Sequence, residues 1–155
     1  MIAFLVFFAI VFAAATSGAI FKPGEWYDGL SKPPWTPPGW AFPVVWSILY
    51  VKITVAGWLV WSASGWEAWP ALAVYVVSLM LNAGWSALFF GVRRMDWAMA
   101  DVIVLWLSIV ATMVVFVPHT PLAAALLAPY LLWVTIAATL NLRMIQLNPE
   151  EATAS

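Results

Sequence analysis

Five stretches of the chain are apolar almost without interruption, at 2–21, 42–61, 69–90, 96–117 and 121–146, and each is too long for a strand. Roughly 20 apolar residues, at about 1.5 Å of rise each, cross a hydrocarbon core, so each stretch predicts one transmembrane helix. The polar interruptions "SASGWEA", "GVRRM" and "PHT" are short, which predicts antiparallel neighbours. Only the connection at 22–41 is long, and with "KPPWTPPGWAFPVVW" it carries five prolines into the start of the second helix. Proline cannot continue a helix and holds its neighbour extended, so "KPPWTPP" predicts a stiff, non-helical strap, while Pro43 suits a first helical turn. The expected fold is an all-α membrane protein: one domain over 1–155, a five-transmembrane-helix bundle whose long structured first loop, 22–41, acts as a lid.

Composition narrows the classes of function. At 65% hydrophobic, 8% charged and a mean hydropathy of +0.97, the chain lies outside the soluble globular range. A net charge of -1 without a basic run argues against nucleic acid as a partner. With zero cysteines and the lone His119 in a "VPHTP" turn, no metal site and no cofactor are expected. Lys22, Lys32, Arg93, Arg94 and Arg143 share the side of the long loop and the C-terminus, opposite the N-terminus. By the positive-inside rule that side faces the cytoplasm, provided insertion is into an inner or organellar membrane. The first stretch has no Lys or Arg before it, so it reads as a span and not as a cleaved signal.

The twelve tryptophans divide by depth. Trp58, Trp61, Trp66 and Trp69 flank the second connection and read as an interfacial belt. Trp46, Trp85 and Trp133 fall deeper, where a lipid-facing indole would leave its N–H unpaired, so they are expected to face the bundle interior. Ser78, Asn82, Trp85 and Phe89 share one helical stripe. Trp133, Ala137, Leu140 and Asn141 share another, beyond Pro129, whose ring removes a hydrogen bond to Ala125 and predicts a kink. Two readings stand: a packed aromatic core with a satisfied Asn, or a ligand pocket beneath the lid. Lys52 lies in mid-membrane, at a cost of about 2.5–3.5 kcal/mol unless it is paired or snorkels, with Asp101 as candidate partner. Ala83, Ala87 and Gly91 repeat every fourth residue, a spacing that predicts a homodimer through that face, with internal packing against a neighbouring helix as the alternative.

Three motifs, "EWYDGLSKPPWTPPGWAFPVVW", "LNAGWSALFFG" and "PYLLWVTIAATLN", together resemble the translocator protein family, known in bacteria as tryptophan-rich sensory proteins and formerly as peripheral benzodiazepine receptors. The resemblance covers nearly the whole chain. It implies a five-helix bundle, often dimeric, in a bacterial membrane, inner or outer. One pocket under the first loop would accept porphyrins such as protoporphyrin IX and isoquinoline or benzodiazepine ligands; animal members also bind cholesterol. Carried over by motif position, the pocket would use Tyr27 and Pro37 of the lid, Trp46 and Tyr50, Asn82 and Trp85, and Trp133, Ala137 and Leu140. Leu142 stands where animal members have the tyrosine of a proposed cholesterol motif, which weakens the case for sterol.

A tetrapyrrole is a flat apolar disc with two propionates, and it needs aromatic faces with cationic or amide donors at its rim. Trp46, Trp85 and Trp133 could supply faces, Asn82 a donor, and Lys32 or Arg94 a counter-charge at the mouth. Without an axial ligand inside the bundle a metal-free ring is favoured over haem. No acid, base or nucleophile converges, so no conventional catalytic residues are expected. Any chemistry would be the light- and oxygen-dependent porphyrin breakdown proposed for the family, with Trp46 and Trp133 as participants. Porphyrin binding or transport with a sensory role is the leading reading, ahead of sterol or lipid handling and of porphyrin degradation.

Overall fold

A computed structural model describes residues 1–153, and among the described residues there is no strand. Helix α1 spans Ile2–Ile20, and the connection after it contains a single short helix, α2, at Glu25–Gly29. Helix α3 (Ala41–Ser64) runs through a 3-10 turn at Gly65–Ala68 into α4 (Trp69–Ser86), which ends in a π-helical turn at Ala87–Gly91. Helix α5 covers Met95–Phe116, α6 Pro121–Leu126 and α7 Ala128–Leu147. Four helical stretches are long and apolar enough to cross a bilayer: Ile2–Ile20, Ala41–Gly91, Met95–Phe116 and Pro121–Leu147. The second, of 51 residues, is one continuous run only in its backbone. It folds back at Gly65, which takes a φ of 53°, so that Tyr50 meets Asn82 and Tyr75 meets Ile53.

Local chemistry explains the breaks. Pro70, Pro121 and Pro129 each sit in the first turn of a helix, where the missing N–H has no intrahelical partner to lose. Pro129 separates α6 from α7, with the Leu127 N–H donating back to Ala124 O at 3.1 Å. Hydroxyls inside the apolar segments bond to their own helices, as Thr54 does to Tyr50 O (2.8 Å) and Thr112 to Ser108 O (2.7 Å), which keeps them satisfied without water.

Packing is closest where side chains are smallest. At Gly57 a Cβ would stand 2.7 Å from Phe7 Cδ1 and 3.0 Å from Tyr75 Cζ, so the absent side chain is what lets α1, α3 and α4 converge. Tyr75, fully buried there, donates its hydroxyl to Ile53 O at 3.1 Å. On the other flank Met95 and Met144 are fully buried between α5 and α7, and the Asn141 amide donates to Met95 O at 3.0 Å.

The turn out of α4 is unusual. Val92 N–H donates to Ala87 O (2.8 Å) and Arg94 N–H to Leu88 O (3.0 Å), a closure that places Arg93 at a φ of 61°, where helices commonly use glycine. A side chain in that conformation costs about 1–2 kcal/mol.

Candidate functional site

A cavity of about 1030 Å³ lies between α1, α3 and α4, beneath the connection that follows α1. That is at the upper end of the range for small-molecule sites. Trp46 and Tyr50, one turn apart on α3, stack with centroids 5.2 Å apart and form one aromatic wall. Asn82 and Trp85 reach it from α4, and the Tyr50 hydroxyl donates to Asn82 Oδ1 at 3.2 Å. Trp85 stacks on Phe89 (5.1 Å) while its indole N–H finds no partner among the described residues. The π-helical turn inserts one extra residue per turn, which lets Phe89 enter the core while the adjacent Phe90 lines the cavity.

Six of the residues expected from the sequence line this space: Tyr27, Pro37, Trp46, Tyr50, Asn82 and Trp85. Trp133, Ala137 and Leu140, expected on the same wall, lie off it. Trp133 meets Phe42 edge-on at 5.7 Å, and Phe42 is the residue on the cavity wall. Leu140 is buried in a second core with Phe89, Met95 and Met144, and Ala137 is partly exposed. The missing wall comes from α1 instead, through Phe4, Phe8, Val11, Ala15 and Gly18. Their spacing of four and three residues marks one helical face, but α1 is apolar apart from Thr16 and Ser17 near its end, and neither lies on that face to single it out.

Other expectations also move. The stripe Ala83, Ala87, Gly91 is occupied within the chain: Ser17 Oγ donates to Ala83 O at 2.5 Å, and a Cβ on Gly91 would stand 2.7 Å from Phe21 Cδ1. Ala83 and Gly91 thus sit against Ser17 and Phe21 at the end of the first helix and just beyond it. Lys52 and Asp101 are unpaired, the one ion pair among the described residues being Arg94–Asp96 at 2.6 Å. Asp101 packs its carboxylate against Gly84 instead. Arg94 is thereby engaged and stacks over Trp97 at 4.5 Å, while Lys32 donates to Asp28 O and Leu30 O, both at 3.2 Å. His119 is bonded to Ser64 (2.8 Å), beside the turn that links α3 to α4.

The connection over the cavity is held by contacts no sequence pattern announced. Asn148, just past α7, grips Ser31 twice: Ser31 N–H donates to Asn148 Oδ1 (2.8 Å), and Asn148 Nδ2 donates to Ser31 O (2.9 Å). The Trp26 indole donates to Glu151 Oε2 at 3.1 Å, and Leu30 is buried against the second core. Tyr27 packs edge-on to Phe90 at 5.5 Å, with Lys32 Nζ 4.6 Å above its ring. Burial, and then the neighbouring Asp28 carboxylate, push the Tyr27 phenol above its ordinary pKa.

A sequence model of the TspO/MBR family matches residues 2–147. The chain is 44% identical to the tryptophan-rich sensory protein of Cereibacter sphaeroides over 94% of its length and 90% of that protein. It is 41% identical to Protein CrtK of Rhodobacter capsulatus, covering 96% and 94% of the two chains. Against the translocator protein of Homo sapiens the identity is 41%, over 80% of this chain and 77% of that one.

Proposed function

We propose, starting from the fact that this chain belongs to the TspO/MBR family, that it is a membrane receptor or carrier for a flat, mostly apolar ligand of the tetrapyrrole class. It is an integral, multi-pass membrane protein. In this reading α3 and α4 cross separately, giving five crossings, and the connection at 22–40 is the lid over the ligand. One observation carries the proposal: the stacked Trp46–Tyr50 wall and Trp85 share a cavity large enough for a macrocycle, with Asn82 as the amide at its edge. Large rigid aromatics give a planar ligand extensive contact at little entropic cost. The cavity wall contains no His, Cys or Met, and its two tyrosines are engaged, Tyr50 with Asn82 and Tyr27 beneath Lys32, which supports a metal-free ring. The relatives' names, a sensory protein and a translocator protein, support a role in signalling or movement of such a ligand.

The test is quenching of tryptophan fluorescence by protoporphyrin IX in detergent. Trp46→Ala should weaken saturable binding by about tenfold or more, the equivalent of about 1.4 kcal/mol. Trp133→Ala should leave it within about twofold, because Trp133 is off the wall. Equal losses from both variants would refute this placement of the ligand. Illumination adds a second arm: breakdown of the porphyrin that vanishes in Trp133→Phe while binding persists would favour degradation over carriage.

A second reading, sterol or lipid handling, has its own support. The wall residues on α1 run from Phe4 to Ala19, a rise of about 22 Å at 1.5 Å per residue, so the space is long as well as wide. A titration with cholesterol that saturates and displaces porphyrin would favour it.

A further inference from the structure

A second, smaller cavity of about 490 Å³ opens beside the first, lined by Lys22, Gly24, Glu25, Trp26, Phe90 and Arg93. Lys22 and Phe90 border both cavities, so the two are neighbours sharing a wall. Lys22 and Arg93 make no hydrogen bond or ion pair to any described residue, unlike Lys32 and Arg94. Arg93 reaches this position from a left-handed backbone that glycine would occupy without strain, and its guanidinium lies 6.0 Å from the Trp26 ring centre. Glu25 is the one carboxylate on the wall and has no partner among the described residues, so the vestibule carries two cations against one anion. Apart from Lys22, which it shares with the vestibule, the main cavity offers an anion only Lys32, which is occupied by carbonyl oxygens beside the negative charge of Asp28. A carboxylate drawn into an apolar space needs a counter-charge at its edge.

We propose that Lys22 and Arg93 form an oxyanion vestibule that receives the carboxylate or phosphate of an amphiphilic ligand whose apolar body fills the main cavity. This rests on the receptor reading above. It replaces Lys32 and Arg94, the cations expected from the sequence, with two that are unpaired and share a wall. The oxyanion has two sources, an acid group of the cavity ligand or the phosphate of a bilayer lipid.

The experiment compares protoporphyrin IX with its dimethyl ester, by fluorescence quenching in nanodiscs of phosphatidylcholine. The diacid should bind about tenfold more tightly than the ester, an advantage that shrinks with added salt. Arg93→Gly, which also relieves the backbone, and Lys22→Gln should each reduce the advantage, and together abolish it. Arg93→Lys should keep part of it, and Glu25→Gln should increase it. In phosphatidylglycerol nanodiscs, a loss of diacid affinity larger for wild type than for the double variant identifies lipid phosphate as a second occupant. Equal binding of diacid and ester by wild type, or an advantage that survives the double variant, overturns the vestibule and leaves the receptor reading standing. Binding of neither porphyrin overturns both.

Discussion

Between α5 and α7, Met95 and Met144 are fully buried, the Asn141 amide bonds Met95 O, and Phe89 closes the layer. Between α1 and α3, Phe8 and Phe12 stack on each other at 6.0 Å, remain exposed, and border a cavity. Both regions draw on the same apolar residue types, so hydrophobicity does not separate them. In a bilayer the acyl chains are as apolar as the side chains, and no hydrophobic force acts to close a gap between two helices. Helices draw together only where shapes interlock or hydrogen bonds reach across. Gly57 and Tyr75 do this near the start of α1 and the Ser17 bond to Ala83 near its end, and nothing equivalent among the described residues seals the space under Trp46.

The largest effect that tests this contrast comes from one residue type placed on each side. Phe89→Ala, at 2% exposure, should cost about 3–5 kcal/mol, whereas Phe12→Ala, at 60%, should change stability by no more than about 0.5 kcal/mol. Reversible unfolding in mixed micelles measures both, and similar costs would erase the distinction between a packed and an open flank. Next in size, Gly57→Leu forces a side chain against Phe7 and should destabilise by about 1–3 kcal/mol, read by the same titration. A neutral result would mean that α1 is not held at that crossing.

Smaller again is the clamp between the connection and the end of α7. Asn148→Ala removes both bonds to Ser31 and should cost about 1–2 kcal/mol, with faster hydrogen exchange at 30–36 and unchanged protection in α5. Uniform exchange would show that the clamp does not order the connection. Least of all is a pH effect at Tyr27. Its phenol is raised above the ordinary value of 10.0, so the folded state disfavours the phenolate. Stability from this group is full below that value and falls as pH rises through it toward the folded pKa; Tyr27→Phe should flatten the slope seen by thermal unfolding between pH 9 and 11, a range of roughly one unit either side of the unperturbed phenol.

Much of the cavity wall was legible in advance on α3 and α4. The depth of Trp46 and the stripe through Asn82 and Trp85 pointed inward, and all three line the cavity. Trp133 pointed inward by the same reasoning and meets Phe42 instead, since facing the interior does not specify which interior. The contribution of α1 was hidden for the opposite reason: with no polar residue before Thr16, one face of its helix reads like another. The Arg93 turn was unreadable because nothing in "GVRRM" announces a left-handed arginine.

The order of apolar segments and prolines, by itself, determined that the chain is helical and membrane-embedded, because hydrocarbon tolerates only backbone whose hydrogen bonds are satisfied within the segment. It also placed the aromatic and proline-rich stretch beside one end of the bundle. Only the tertiary structure decided which helix faces meet, that α1 and not α7 completes the cavity, and which cations stay unpaired beside it. Those outcomes depend on side-chain shape and on polar partners distant in sequence, and in a medium as apolar as the core, hydropathy along the chain carries no record of either.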